Sequence, residues 1–362
     1  MCVAPNPCPA QDQVAAAEAS FFAHPTQLTF PARFLKAGEA YFSPDGSQVI
    51  FQAIEVPKDG VTASDFYAMF VADLVAPDGK PRLDNIRQVS PPGSANTCGW
   101  FDAAHPGRVI FGSTLTPPSN KEVPGYQRGT GRYKWQFPPE MRVVAVDLKA
   151  EPGSEGSPEK PALLAGDGTA YTAECTTTAD GRWLLYCTLA TGQGDIVVKD
   201  LVSGNVIPLV SAPGYDGGPF FSPDGTRLCY RSDRNGDSLL QVHIAEVVRD
   251  DAGNITGTKN ERRLTANDHV NWAPYFSPDG SLLVYASSEV GHDNYEIFSV
   301  SAQGTPVRAR VTHAGGADIL PVFDAQGKRM MWTSQRGEGR SSQLWIADLV
   351  HPFPPTPSKA TP

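Results

Sequence analysis

A six-bladed β-propeller built from four-stranded antiparallel blades is the all-β fold that this sequence predicts. Three observations predict it. The first is the stretch Tyr41-Phe42-Ser43-Pro44-Asp45-Gly46-Ser47-Gln48-Val49-Ile50-Phe51, which reads as strand, tight turn, strand. Pro44 presets φ for the turn, Asp45 can bond its own backbone, and Gly46 tolerates positive φ. The second is its recurrence, as Phe220-Phe221-Ser222-Pro223-Asp224-Gly225 running on to Leu228-Cys229-Tyr230, and as Tyr275-Phe276-Ser277-Pro278-Asp279-Gly280 running on to Leu283-Val284-Tyr285. Looser copies start at Trp100, Thr176 and Val322. The third is that two further strand-like runs recur around each copy. Sets of four strands, repeated about six times, lie within the usual range of propeller blades.

In chain order, residues 1–25 are an N-terminal tail. Within it, Gln11 to Phe22 predicts a short helix, because Ala15-Ala16-Ala17-Glu18-Ala19 are good helix formers. Residues 26–350 are the propeller. Each turn unit supplies an inner and a second strand. A third strand follows, as in Met69-Phe70-Val71-Ala72 or Ile196-Val197-Val198, and then an outer one, as in Ile86-Arg87-Gln88-Val89 or Val206-Ile207-Pro208-Leu209-Val210. One outer-type strand, Thr26 to Phe30, precedes the first inner strand, and none follows Trp345. Thr26 to Phe30 is therefore expected to pair with residues 343–348 and close the ring, which removes an exposed sheet edge. Insertions at residues 54–65 and 114–139, the second in blade two, fall between second and third strands. Residues 150–160 and 249–261 read as solvated loops, and the Pro-rich residues 351–362 as a tail without order.

Composition narrows the function. Hydrophobic residues make up 40% of the 362, enough for a core, while 34 Gly and 33 Pro suit short strands and turns. A net charge of −9 without a basic run argues against nucleic acid and anionic membranes as partners. No apolar stretch approaches the roughly 18–20 residues that span a bilayer. The start, Met1-Cys2-Val3-Ala4-Pro5, has no signal-peptide pattern. Cys175, Cys187 and Cys229 sit in apolar strand contexts and read as buried free thiols. Cys2 and Cys8 lie in the Pro-rich start, and their state stays open.

Ser222-Pro223-Asp224-Gly225, the following Tyr230-Arg231-Ser232-Asp233-Arg234-Asn235-Gly236 and the outer Arg263-Leu264-Thr265 resemble TolB-like β-propeller repeats, over about residues 26–349. Gly214-Tyr215-Asp216-Gly217-Gly218-Pro219-Phe220-Phe221 and Thr97-Cys98-Gly99-Trp100-Phe101 resemble segments of a bacterial, often exported subgroup. Some of that subgroup carry a peptidase domain; none is expected within this sequence, nor is the extra N-terminal domain of TolB itself. The resemblance implies a binding or scaffold role in the periplasm or cell envelope, with a protein or peptide as partner. The cytoplasm is the other compartment the sequence allows.

Catalytic patterns are scarce. There is no G-x-S-x-G elbow, no H-E-x-x-H and no phosphate-cradling Gly loop before a helix. Asp233-Arg234-Asn235-Gly236-Asp237 reads as a hairpin turn rather than a Ca²⁺ loop. The repeat offers a sharper handle. Aligning the copies places Ala37, Asn96, Thr172, Asp216, Asn271 and Asp318 at one position, and Glu39, Cys98, Glu174, Gly218, Ala273 and Leu320 two residues later. That alignment gathers Asp216, Asp318, Glu39, Glu174, Asn96 and Asn271 at the channel mouth. Glu39 and Glu174 become candidate ligands for Ca²⁺ there, since converging carboxylates favour a cation; for Asp216, Asn271 and Asp318 the competing role is capping turns between blades. Three histidines (His269, His292, His313) with Asp318 are a weaker metal set. Tyr126, Arg128, Arg132, Tyr133 and Trp135 give insertion 114–139 the composition of a contact surface on the same face. The function expected is a non-catalytic binding or scaffold propeller. The alternatives are a metal-dependent hydrolase or lactonase with its ion at the channel mouth, and an accessory subunit of a larger complex.

Overall fold

The computed structural model describes residues 11–119, 125–127, 132–134, 137–305, 307–351 and 353, with backbone alone at 125–127 and 132–134. Six four-stranded antiparallel sheets follow one another along the chain. The inner strands are Phe34–Phe42, Asn96–Phe101, Thr172–Thr177, Asp216–Phe221, Asn271–Phe276 and Asp318–Phe323. Each is followed through a tight turn by its second strand and then the third; the outer strand comes next in the first five blades and from the start of the chain in the sixth. The turn chemistry is explicit. In the first turn the Ser43 hydroxyl donates to Asp45 Oδ1 at 2.6 Å, and Asp45 accepts from the Ser47 amide at 3.0 Å. Ser222 with Asp224 and Ser277 with Asp279 repeat the arrangement.

Second and third strands are the most deeply buried, as their continuous apolar runs require. Phe51, Phe111, Leu185, Tyr230, Tyr285 and Trp332, one from each second strand, are almost fully buried. They pack between neighbouring sheets in contiguous clusters.

Ring closure occurs as expected, with a shifted boundary. The closing strand is Phe22–Gln27, antiparallel to Gln343–Leu349, with Thr26 opposite Ile346 and Gln27 opposite Trp345. The pairing runs on past the strand, since the Leu28 amide donates to the Leu344 carbonyl at 2.8 Å. The strand starts at Phe22 because that ring is an anchor, buried against Trp332 at 5.3 Å between centroids. Phe30 lies beyond the strand and is half exposed. The helix is shorter than expected, Gln11–Glu18.

Residues 249–261 are not a loop. Gln241–Arg249 and Ile255–Arg263 form a long hairpin, in which Ile255 is buried and Glu261 bonds Tyr230 and Arg234. Charged residues there reflect a solvated outer edge rather than absence of a strand. Among the described residues no helix is long and apolar enough to cross a membrane.

Candidate functional site

Every inner strand carries a β-bulge at the same place, where two residues face one on the second strand. The first bulged residue is left-handed in all six blades: Glu39 (φ 43), Cys98 (φ 55), Glu174 (φ 58), Gly218 (φ 59), Ala273 (φ 53) and Leu320 (φ 55). These are the six residues that the repeat alignment makes equivalent. Only one is Gly, so five blades accept backbone strain of about 1–2 kcal/mol each. The strain re-aims these residues into the channel, where all six line a cavity of about 30 Å³, room for one water.

Glu174 is the hub of this centre. Its Oε1 accepts from Arg231 Nη2 at 2.6 Å and from the Tyr215 hydroxyl at 2.6 Å, and its Oε2 accepts from the Gly218 amide. Gly217 and Gly218 make the space: a Cβ on Gly217 would strike Tyr215 and Glu174, and one on Gly218 would strike Arg231. Arg231 also lies over the Tyr215 and Trp272 rings at 5.7 and 5.8 Å. Burial opposes its charge, but Glu174 and Tyr215 outweigh burial and hold its pKa above the usual arginine value. Among the described residues, its Nε has no hydrogen-bond partner.

Glu39, on the same cavity, accepts from the Thr97 hydroxyl at 3.0 Å. Burial raises its pKa, the charge of Glu174 adds to the effect, and Thr97, Cys98 and Arg231 oppose it. Burial also pushes the Cys98 thiol well up. Cys98, Cys175, Cys187 and Cys229 are free thiols.

This donor set does not fit a divalent cation. Both oxygens of Glu174 are engaged, burial works against the charge on Glu39, and the Arg231 guanidinium already stands where the cation would go. Among the described residues no group of three or more His, Cys, Asp and Glu side chains is placed to hold a metal ion.

The other candidates are divided. Asp216, Asn271 and Asp318 do begin equivalent inner strands, but their side chains are buried at the blade entrances and not gathered at a mouth. Asp216 pairs with Arg234 at 3.0 Å, and Asp318 with Arg336 at 2.7 Å. Asn271 donates to Asn267 Oδ1 at 2.7 Å and Gln241 Oε1 at 3.1 Å. Arg336 also binds Glu18 at 2.9 Å, which ties the N-terminal helix to the last blade. Tyr126 and Tyr133 are backbone register partners in a small two-stranded sheet, Gly125–Gln127 with Arg132–Lys134. Arg128 and Trp135 lie outside the described residues.

Sequence reasoning missed Phe137, Tyr171, Tyr215 and Arg231. Phe137, at the foot of the longer insertion, stacks on Tyr171 at 4.3 Å and approaches Tyr215 at 5.9 Å. Phe66, at the foot of the shorter one, packs on the same cluster. Phe66 and Phe137 thus share the Tyr171 cluster, and Phe137 also approaches Tyr215, the partner of Glu174. A signal for Arg231 was available: opposite the residue before each bulge stand Gln52, Gly112, Cys187, Arg231, Ala286 and Thr333, and only Arg231 is charged.

No family model matches the chain. Its sequence is 28% identical over 148 residues to an uncharacterised protein of Agrobacterium fabrum, covering 41% of this chain and 45% of that one. It is 26% identical over 175 residues to the Tol-Pal system protein TolB of Francisella tularensis, covering 48% of this chain and 37% of TolB. The chain thus spans less than half the length of these curated relatives. In structure it is similar to the putative TolB from Agrobacterium tumefaciens, with a TM-score of 0.52 and 15% identity over 86% of this chain and 90% of that one. Over about half of its length the chain is thus similar in sequence to TolB, and its fold is a six-bladed β-propeller like that of the TolB structure.

Proposed function

We propose that this propeller is a non-catalytic binding or scaffold module of the bacterial cell envelope, working in the periplasm, which holds a protein or peptide on the face carrying insertion 114–139. One observation carries the reading. Glu174, at that end of the channel, has both oxygens taken up inside the protein, by Arg231, Tyr215 and the Gly218 amide, beside Phe137 stacked on Tyr171. A centre so occupied fixes the surface above it and offers little to a substrate. Phe66, just after the shorter insertion, and Phe137, near the end of the longer one, pack on one cluster, which supports a shared surface. A rim with Tyr126, Arg128, Arg132, Tyr133 and Trp135 has the composition of an interface hot spot. The TolB relatives belong by name to a multi-protein system, which agrees with a protein partner.

The test is recovery of partners from envelope extract by the intact chain and by a variant in which residues 118–136 are replaced with a short Gly-Ser link, Phe137 being kept. The variant should fold and lose the partner. Identical recovery by both would rule out this face.

A further inference from the structure

The channel does not run through the molecule. Tyr41, Trp100, Phe220 and Tyr275, from four inner strands, meet across it with ring centroids 5.1–6.3 Å apart. Beyond this layer, on the face formed by the inner-to-second-strand turns, a cavity of about 500 Å³ opens. It lies opposite the insertions, because those leave from the other end of the second strands. Nothing in the proposed scaffold role uses it.

Its floor is aromatic. Trp100, Phe220 and Tyr275 are joined there by Phe42 and Phe221, all only half buried. Elsewhere in this ring the large aromatic side chains of the second strands are sealed, so five solvent-facing rings in one concavity are a departure from the pattern. The charges on the wall are Asp180, Asp224 and Asp324 against Arg249 alone. Asp324 is matched outside the cavity by Arg329 at 3.1 Å. Asp180 and Asp224 accept from Thr178 and Ser222, hydrogen bonds that hold both carboxylates ionised and in place. The lining residues themselves are net negative, with Arg227 beside Asp224 and Arg329 beside Asp324 offsetting part of that charge.

An aromatic floor under an acidic rim selects for one chemistry. Ring faces attract a cation, most strongly a poorly hydrated one, and the carboxylates add long-range attraction. An anion would meet the Asp180 and Asp224 carboxylates, and a neutral ligand would gain nothing from them. The volume is that of a small-molecule pocket. We infer that this cavity is a binding site for a free small organic cation of the alkylammonium or quaternary ammonium class, seated on Trp100, Phe220 and Tyr275 with its charge toward Asp180 and Asp224.

The test titrates the full chain with choline and with its uncharged isostere 3,3-dimethylbutan-1-ol, by calorimetry and by saturation transfer to the ligand methyl groups. Choline should bind saturably, with the isostere weaker by about tenfold or more. Asp180→Asn with Asp224→Asn preserves the turn acceptors and should weaken choline while leaving the isostere unchanged. Trp100→Leu should weaken both. If Trp100→Leu fails to fold, the Asn pair still decides. Equal affinity for choline and isostere, or no saturation in the millimolar range, would overturn the inference. So would tighter binding of a lysine-containing peptide, which would make the site a docking point for a partner. The variant lacking 118–136 should bind choline normally, so loss of the insertion-face partner and loss of this site are separate results.

Discussion

Replacing Glu174 by Gln tests the channel centre directly. The change is nearly isosteric, so packing is kept and the charge is removed. Arg231 then loses its counter-ion while its side chain is only 13% exposed. The amide adds a second conflict. If its oxygen keeps Arg231 and Tyr215, its NH₂ faces the Gly218 amide, donor against donor. Removing one partner of a buried ion pair costs about 3–5 kcal/mol, and at pH 5 the upper half of that range is expected. Glu39 makes the cost depend on pH. Its folded pKa is raised, first by burial and then by Glu174, with Arg231 opposing. Such a group favours the folded state below its unfolded pKa and gives that stability up as pH rises through the folded pKa. In the variant the repulsion from Glu174 is gone and the attraction of Arg231 is undivided, so the folded pKa of Glu39 falls. Glu39 ionises and takes over as counter-ion. The deficit of the variant should therefore be larger at pH 5 than at pH 8, and adding Glu39→Gln should remove that recovery. Urea unfolding of the three proteins at both pH values measures this. A deficit under about 1 kcal/mol at pH 5, or one that grows with pH, would refute the argument.

Other outcomes follow from the same structure. Phe22→Ala opens a cavity against Trp332 in the closing blade and should cost about 3–5 kcal/mol in the same unfolding assay. Gly217→Ala places a methyl against Tyr215 and Glu174, should cost about 1–3 kcal/mol, and should be milder in the Glu174→Gln background. Glu296 is buried with one oxygen on Arg310 at 2.8 Å, and burial, with Asp318 adding, raises its pKa. The protein should lose stability as pH rises from the usual carboxylate range to about 8, and Glu296→Gln should flatten that decline in melts taken across the interval. Ca²⁺, Mg²⁺, Zn²⁺ or a chelator should leave the melt unshifted; a stoichiometric ion in elemental analysis with a chelator-sensitive melt would return weight to a metal at Glu39 and Glu174.

Much of this was readable from residues. The turn unit carries its own mechanism in Pro44, Asp45 and Gly46, so counting its copies gave the blades. Counting back from the aromatic residue also found the bulge positions, including Glu39 and Glu174. What those residues do was not readable, because it depends on a side chain from the adjacent second strand. Asp216, Asn271 and Asp318 were misplaced for a related reason. An Asp at a strand start looks the same whether it faces a pore or an arginine eighteen residues later. Pro219, Pro274 and Pro321, each just after the bulged residue, were an unused signal, since proline inside an inner strand is tolerated where the ladder is interrupted.

The seam between Phe22–Gln27 and Gln343–Leu349 has a kinetic consequence. It joins one segment to another made more than three hundred positions later. Until the ribosome delivers the last strand, Phe22 has no Trp332 and Glu18 no Arg336, and the first segment must wait unpaired. Blades one to five can form as they emerge, but the ring becomes a single cooperative unit only once the sixth blade has emerged. Chains released early would carry an open sheet edge at the sixth blade and a loose apolar segment at the start, the kind of species that chaperones and proteases recognise.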